Sequence, residues 1–171
     1  IKFDQVASAT APDHPFLGLN RADYPILVAG STHDLEEEAV LQAAKDLWQK
    51  SPSFKVIIVP RHPERFDTVA KLIEAKSLPF VRSSQVQFVP EDTNVVLLDE
   101  MGKLNDAYAV ASFAFVGGSI ADRGGHNALE PASFSIPIIM GPHTYNNPVI
   151  CSYLEECGAL IKVESGEAMS A

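Results

Sequence analysis

The feature that most constrains the fold is a repeated alternation of short apolar runs with amphipathic segments. Runs such as ILVAG at 26–30 and VIIV at 56–59 are apolar at consecutive positions rather than at every second one. Strands of that kind are buried on both faces. The segment at 36–50 instead has apolar residues at three-and-four spacing, as in a helix with one buried face. The pattern predicts an α/β fold in which helices cover both faces of a parallel sheet, the doubly wound, Rossmann-like architecture.

The same pattern predicts the order of the elements. Asp34 is predicted to cap the first helix, and Glu36, Glu37 and Glu38 suit the positive end of its dipole. Strands are predicted at 24–31, 54–60, 79–82, 94–99, 112–119, 136–141 and 159–163, and helices at 33–50, 65–76, 101–111, 126–134 and 147–158.

Length and charge limit the function. The 171 residues suit one domain, predicted at 25–171, preceded by a linker or arm at 1–24 that is rich in turn formers. The net charge of −9 argues against nucleic-acid binding, which needs a basic surface. It leaves room for a small anionic ligand, because Arg61, Arg65 and Arg123 follow apolar runs in short loops.

Cysteines and hydropathy point to the cytoplasm. Cys151 and Cys157 match neither a disulfide framework nor a zinc pattern, so both are predicted to be reduced thiols. There is no apolar run of about 18 residues, so no membrane span is predicted, and no signal peptide is recognised. Because the chain starts at Ile1 rather than Met, we expect a fragment of a longer protein.

Polar residues concentrate in the loops that follow the predicted strands. Four of the five histidines and three of the five arginines lie there. Parallel strands end at the same edge of a sheet, and ligands of such folds bind outside that edge. These loops are therefore predicted to share one crevice.

The loop GGSIADRGGHNALEP at 117–131 carries the most chemistry. Its glycines let another molecule approach the backbone, and the predicted helix start behind it favours a phosphate. Asn127 and Glu130 lie in the predicted first turn, where a carboxylate can accept hydrogen bonds from ribose hydroxyls. The loop is predicted to hold a nucleotide.

Plainer interpretations of these residues remain open. Glycine pairs before helices are often tight turns only, and Glu130 also suits a helix dipole. His126 is as compatible with a hydrogen bond at a helix start as with a ligand contact, while Arg61 and Arg65 could be exposed loop charges. A histidine metal site is disfavoured because no HExxH or comparable spacing occurs.

Seven motifs together resemble a known family. STHDLEEE, PRHPERF, RSSQ, MGKL, FVGGS, RGGHNALEP and MGPHTYN occur in the same order and at similar spacing in the Kdo transferases of lipopolysaccharide synthesis. The resemblance covers nearly all of residues 1–163, and IKFD at 1–4 is similar to the family's linker between its two halves. One departure is Lys103, where the family commonly has Glu, and it puts a role for that side chain in doubt.

This resemblance implies the carboxyl-terminal half of a GT-B glycosyltransferase. The family transfers 3-deoxy-D-manno-octulosonic acid (Kdo) from CMP-Kdo to a lipid A precursor at the cytoplasmic face of the bacterial inner membrane. Its amino-terminal half, absent from this chain, binds the acceptor and supplies the catalytic base. The chain alone is thus expected to bind CMP-Kdo without turnover, and neither a metal nor another cofactor is expected.

The resemblance also assigns roles to residues. Arg61 is expected to contact the phosphate or the Kdo carboxylate, the backbone of Met101 and Gly102 the cytosine, and Glu130 the ribose. Ser119 and the amides of Gly124 and Gly125 are expected to face the phosphate, which Asn127 helps to position. Further candidate neighbours of the donor are Ser31, His62, Arg123 and His126.

Two other functions stay open at this stage. One is a GT-B enzyme that uses a UDP-sugar, such as an N-acetylglucosamine epimerase or transferase, and tighter binding of UDP than of CMP would indicate it. The other is a non-catalytic nucleotide-binding module. A dinucleotide-dependent dehydrogenase is disfavoured, because the first strand ends in GSTHDLEE and lacks G-x-G-x-x-G.

Overall fold

The computed structural model describes residues 17–19, 25–90, 92–121, 123–144 and 146–163. Within them the strands are Ile26–Thr32 (β1), Lys55–Pro60 (β2), Phe80–Arg82 (β3), Val95–Leu97 (β4), Phe113–Val116 (β5), Ile138–Met140 (β6) and Leu160–Lys162 (β7). The α-helices are Glu36–Lys50 (α1), Phe66–Ala75 (α2), Leu104–Val110 (α3), Leu129–Ala132 (α4) and Pro148–Glu156 (α5).

All strand pairs of the described sheet are parallel, in the order β3-β4-β2-β1-β5-β6-β7. The predicted doubly wound α/β fold is confirmed. The order reverses direction at β1, which pairs with β2 on one side and with β5 on the other. A reversal of this kind opens a crevice at the carboxyl ends of the strands.

Successive residues of each central strand belong to opposite layers of the core. In β1, Leu27 and Ala29 pack with α1 and α2, whereas Ile26 and Val28 pack with α3. A third cluster joins the end of β5 and β6 to α5, around Met140. Burial on both faces explains why the strand sequences show no alternation.

The start of α1 differs from the prediction. Leu35, with φ 71°, is the residue before the helix, and no side chain caps it, so Asp34 is not the cap. The three glutamates do occupy the first turn, but Glu36 and Glu37 are buried. A left-handed residue at this point lets the chain turn those two side chains inward.

The helix predicted at 126–134 is also shorter than expected. It forms only as the single turn of α4, and the Asn127 side chain accepts a hydrogen bond from the Leu129 amide (2.9 Å) just before it. The argument that a helix dipole holds phosphate here therefore loses its basis.

Little of the predicted arm at 1–24 lies within the described residues. Of the part that does, Leu19 is buried in the cluster beneath α3, and the Leu17 carbonyl accepts a hydrogen bond from the Val89 amide (2.9 Å). The remaining residues of the arm and those after 163 lie outside the residues that the structure describes. No helix in the described part of the chain is both long and apolar enough to cross a membrane.

Candidate functional site

A cavity of about 300 Å³ opens at the carboxyl edge of the sheet, beside β1 and β2. This volume is at the lower end for small-molecule sites. Seven of the twelve residues predicted to bind the donor line it, namely Ser31, Arg61, Met101, Gly102, His126, Asn127 and Glu130. The other lining residues are Val59, Pro60, Phe66, Glu100 and Leu104.

Arg61 and Glu130 supply opposite charges to this cavity. Arg61 directly follows β2, where its amide donates to the Thr32 carbonyl (2.9 Å), and its side chain is exposed. It forms no ion pair with any carboxylate in the described part of the chain. Burial raises the pKa of Glu130, and the positive charge of Arg61 opposes that shift. The cavity thus offers a guanidinium for an anion and a half-buried carboxyl group for hydroxyls.

The Met101–Gly102 turn forms another part of the wall. Gly102 has φ +78° and open space where a side chain would begin, so the turn itself requires glycine. Met101 is exposed. Lys103, the residue that departs from the resemblance, is not among the lining residues and pairs with Glu100 (3.5 Å).

Asp99 fixes the chain just before that turn. Its carboxylate accepts hydrogen bonds from Arg82 Nε (2.7 Å), from the Ser83 hydroxyl (3.1 Å) and from the Ser84 amide and hydroxyl (3.0 and 2.7 Å). Burial alone would raise the pKa of Asp99, but these bonds outweigh it and hold the pKa below its ordinary value. The RSSQ motif therefore has a structural role, which the sequence interpretation missed.

Glu36 occupies the amides of the glycine loop. Its fully buried carboxylate accepts hydrogen bonds from five backbone N–H groups at 2.8–3.2 Å. Burial raises the pKa of Glu36, and the donating amides oppose that shift. The donors belong to His33, Gly118, Ser119, Ile120 and Ala121.

The prediction that Ser119 faces a phosphate is consequently wrong. Its amide donates to Glu36, its hydroxyl donates to the Val116 carbonyl (2.6 Å), and the same hydroxyl accepts from the Gly141 amide (2.8 Å). Ser119 is fully buried. It holds the loops after β5 and β6 together and has no group left for a ligand.

The Gly124–Gly125 turn is also engaged within the protein. The Gly125 amide donates to the Gly118 carbonyl (2.8 Å), so the prediction that this amide faces the phosphate is wrong. Asn146 donates its side-chain amide to the carbonyls of Arg123 (2.9 Å) and Gly125 (3.2 Å). The Gly124 amide and the Arg123 side chain are predicted donor contacts that lie outside the cavity lining.

Glu37 forms a second buried anchor. Its carboxylate pairs with both terminal nitrogens of Arg65 (2.8 and 3.0 Å) and accepts from the Thr32 hydroxyl (2.6 Å). Arg65 is therefore neither an exposed loop charge nor a free anion ligand. The pair ties the loops after β1 and β2 together behind Arg61.

Three histidines from three loops meet beside the cavity. The rings of His33 and His126 stack with their centroids 4.9 Å apart and their Nε2 atoms 2.6 Å apart. The His62 ring meets His33 edge-on, with 5.3 Å between the ring centroids. Within the described residues no group of three or more potential ligands is arranged to hold a metal ion. His62, a predicted donor contact, is exposed and outside the cavity lining.

Comparison with curated proteins gives consistent relatives. A 3-deoxy-D-manno-octulosonic acid transferase of Haemophilus influenzae is 43% identical over 145 residues, which cover 85% of this chain and 34% of that protein. The transferase of the same name from Aquifex aeolicus is 38% identical over 139 residues, covering 81% and 38%. The chain thus spans about a third of the length of these relatives. No family model matches it.

Solved structures place the likeness in one domain. The C-terminal CMP-Kdo binding domain of WaaA from Acinetobacter baumannii matches with a TM-score of 0.82 and 33% identity, covering 87% of this chain and 78% of that one. The C-terminal domain of a group 1 glycosyl transferase (LpcC) from Francisella tularensis matches with a TM-score of 0.56 and 12% identity, covering 96% and 83%. The second likeness concerns the fold alone.

Proposed function

The chain belongs to the 3-deoxy-D-manno-octulosonic acid transferase family, and from this membership we propose that it binds CMP-Kdo in the cavity at the carboxyl edge of its sheet. The observation that carries the proposal is that seven of the twelve residues that the resemblance assigns to the donor line one cavity. Among them is the Arg61 guanidinium, which has no carboxylate partner within the described residues and can bind a monophosphate.

In the proposed pose each part of the donor meets matching chemistry. The cytosine lies against the backbone of Met101 and Gly102, the ribose hydroxyls donate to Glu130, and Arg61 grips the phosphate. When the bond from the sugar to the phosphate oxygen breaks, negative charge grows on the departing CMP. Arg61 stabilises that charge, so no metal is needed for this step.

The whole enzyme is proposed to transfer Kdo to a lipid A precursor at the cytoplasmic face of the bacterial inner membrane. The base that takes the proton of the acceptor hydroxyl is assigned to the amino-terminal half, as is acceptor binding. No residue of this chain is proposed as the catalytic base. The alternative substrate is a UDP-sugar, which the same fold accommodates.

Titration calorimetry with CMP, UDP and NAD tests the donor class. We expect CMP to bind in the micromolar-to-millimolar range, roughly −8 to −4 kcal/mol, because contacts from the other half are missing. Arg61→Ala should weaken the binding of CMP, whereas the control Lys71→Ala, at an exposed position on α2, should leave it unchanged. Tighter binding of UDP would favour the alternative, and no binding of CMP would refute the proposal.

A further inference from the structure

The three histidines form a cluster that the proposed pose does not use. His33 follows β1, His62 follows β2 and His126 precedes α4, so three of the loops that build the crevice each contribute one ring. His126 also lines the donor cavity. Gly118, with φ +73°, lies against the edge of the His126 ring, where any side chain would collide with it. The backbone is thus shaped to admit that ring beside the cavity.

The contact between His33 and His126 fixes how many protons the pair can hold. Their Nε2 atoms are 2.6 Å apart, a hydrogen-bond distance, so one of these nitrogens must donate and the other must accept. One ring of the pair is therefore neutral. The pair can gain a single proton, on an outer nitrogen, and keep this bond.

The groups that act electrostatically on the pair are arginines and histidines. Those facing His33 are His126, His62, Arg123 and Arg65, and those facing His126 include Arg61 and His62. Burial, which is the largest cause, and the neighbouring groups together lower the pKa of His33 to about 4. The same two causes lower the pKa of His126.

The nearby carboxylates are already engaged. Glu36 is held by backbone amides and Glu37 by Arg65, while Arg61 and Arg123 make no ion pair with a carboxylate in the described part of the chain. The nearby arginines make the cluster electropositive, and no carboxylate among the described residues forms an ion pair with its histidines.

We propose that His33, His62 and His126 form an anion subsite next to the cavity, which takes the carboxylate of the bound sugar acid and gains one proton when the donor binds. This inference rests on the proposed function, since CMP-Kdo carries a carboxylate in addition to its phosphate. The proton comes from solvent and is held by the His33–His126 pair, which becomes an imidazole–imidazolium pair. The new positive charge faces the incoming carboxylate.

Linkage gives the expected pH dependence. Uptake of one proton makes the affinity fall by up to tenfold per pH unit between the pKa of the free cluster and that of the bound cluster. The affinity for CMP-Kdo should thus fall as the pH rises from about 4, the pKa of free His33, toward the pKa of the bound cluster. CMP has the phosphate but no sugar carboxylate. Comparing the pH dependence of CMP binding with that of CMP-Kdo binding therefore separates the effect of the carboxylate from that of the phosphate.

The experiment uses the 171-residue chain with CMP-Kdo and with CMP. NMR of the histidine side chains records their titration with each ligand, and calorimetry in two buffers of different ionisation enthalpy counts the protons taken up. We expect CMP-Kdo, but not CMP, to raise the pKa of the pair with an uptake approaching one proton. His33→Gln and the exposed His62→Gln should reduce both effects, and His143→Gln, in the loop after β6, should not.

Each contrary result has a distinct meaning. CMP-Kdo binding without proton uptake, or with uptake that both glutamine variants leave unchanged, overturns the subsite and leaves the donor site standing. An equal pKa rise with CMP assigns the anion to the phosphate and overturns the carboxylate assignment. Failure of CMP-Kdo to bind at all overturns the proposed function and this inference together.

Discussion

Replacing Glu36 with Gln is the sharpest test of how the glycine loop is held. One carboxylate oxygen accepts from the amides of His33 and Gly118, and the other accepts from those of Ser119, Ile120 and Ala121. A glutamine side chain keeps one acceptor and turns an NH₂ group toward donors at the other position. At best, two of the five bonds are lost.

The expected cost follows from this count. A hydrogen bond to a charged group contributes about 1.5–3 kcal/mol, so losing two lowers the free energy of unfolding by about 3–6 kcal/mol. That is a large share of the 5–15 kcal/mol typical of a whole domain. For a domain of this size it corresponds to a fall in melting temperature of about 6 °C or more.

Thermal and urea unfolding of Glu36→Gln, compared with Glu38→Gln, checks the estimate. Glu38 lies in the same helical turn but is exposed, with one distant partner, Lys76 (3.5 Å), and its variant should change stability by less than about 1 kcal/mol. If both variants melted within a degree or two of the wild type, the loop amides would not depend on the carboxylate, and the reasoning would be wrong.

Three further predictions concern the cavity and its support. Arg61→Lys should cost about as much CMP-Kdo affinity as Arg61→Ala, roughly 1.5–3 kcal/mol, because a Lys side chain cannot bind two oxygens in one plane. Arg65→Ala should instead lower the melting temperature. Equal, salt-sensitive losses of affinity at both arginines would indicate general electrostatics. Glu130→Gln should weaken CMP binding by about 1–2 kcal/mol and leave the melting temperature unchanged. A loss of stability without a loss of CMP affinity would show that Glu130 has a structural role. Asp99→Asn should destabilise the fold at pH 7 by about 1.5–3 kcal/mol. Because the pKa of Asp99 is depressed in the folded state, its stabilisation is present above the unfolded pKa and disappears as the pH falls through the folded pKa. Urea unfolding should therefore show the stability difference from wild type shrinking below about pH 4, and a difference independent of pH would contradict this account.

The placement of Arg61 and the Met101–Gly102 turn could be predicted because it depends only on strand direction. Buried runs reveal parallel strands, and parallel strands end at one edge. Any polar residue directly after such a strand must then lie near that edge. Arg61, which directly follows β2, accordingly lines the cavity, and the Met101–Gly102 turn in the loop after β4 lies at the same edge.

The partners of the loop amides could not be predicted in this way. A glycine-rich loop shows that N–H groups are available, but not what accepts from them. Here the acceptor is Glu36, which lies 82–85 residues before four of its donors. In the sequence it is one of three consecutive glutamates in a first helical turn, and helix-dipole preference explains all three equally well.

The position of Glu36 changes what must neutralise a bound phosphate. In dinucleotide-binding Rossmann folds, loop amides and a helix start hold the pyrophosphate. Here an internal carboxylate already fills the equivalent amides, and α4 is a single turn. The negative charge of a ligand must therefore be matched by side chains such as Arg61, which lines the cavity. Recognition by a side chain depends on the length and planarity of that group, so the anion specificity of this site should change with one substitution at Arg61 while the glycine loop stays intact.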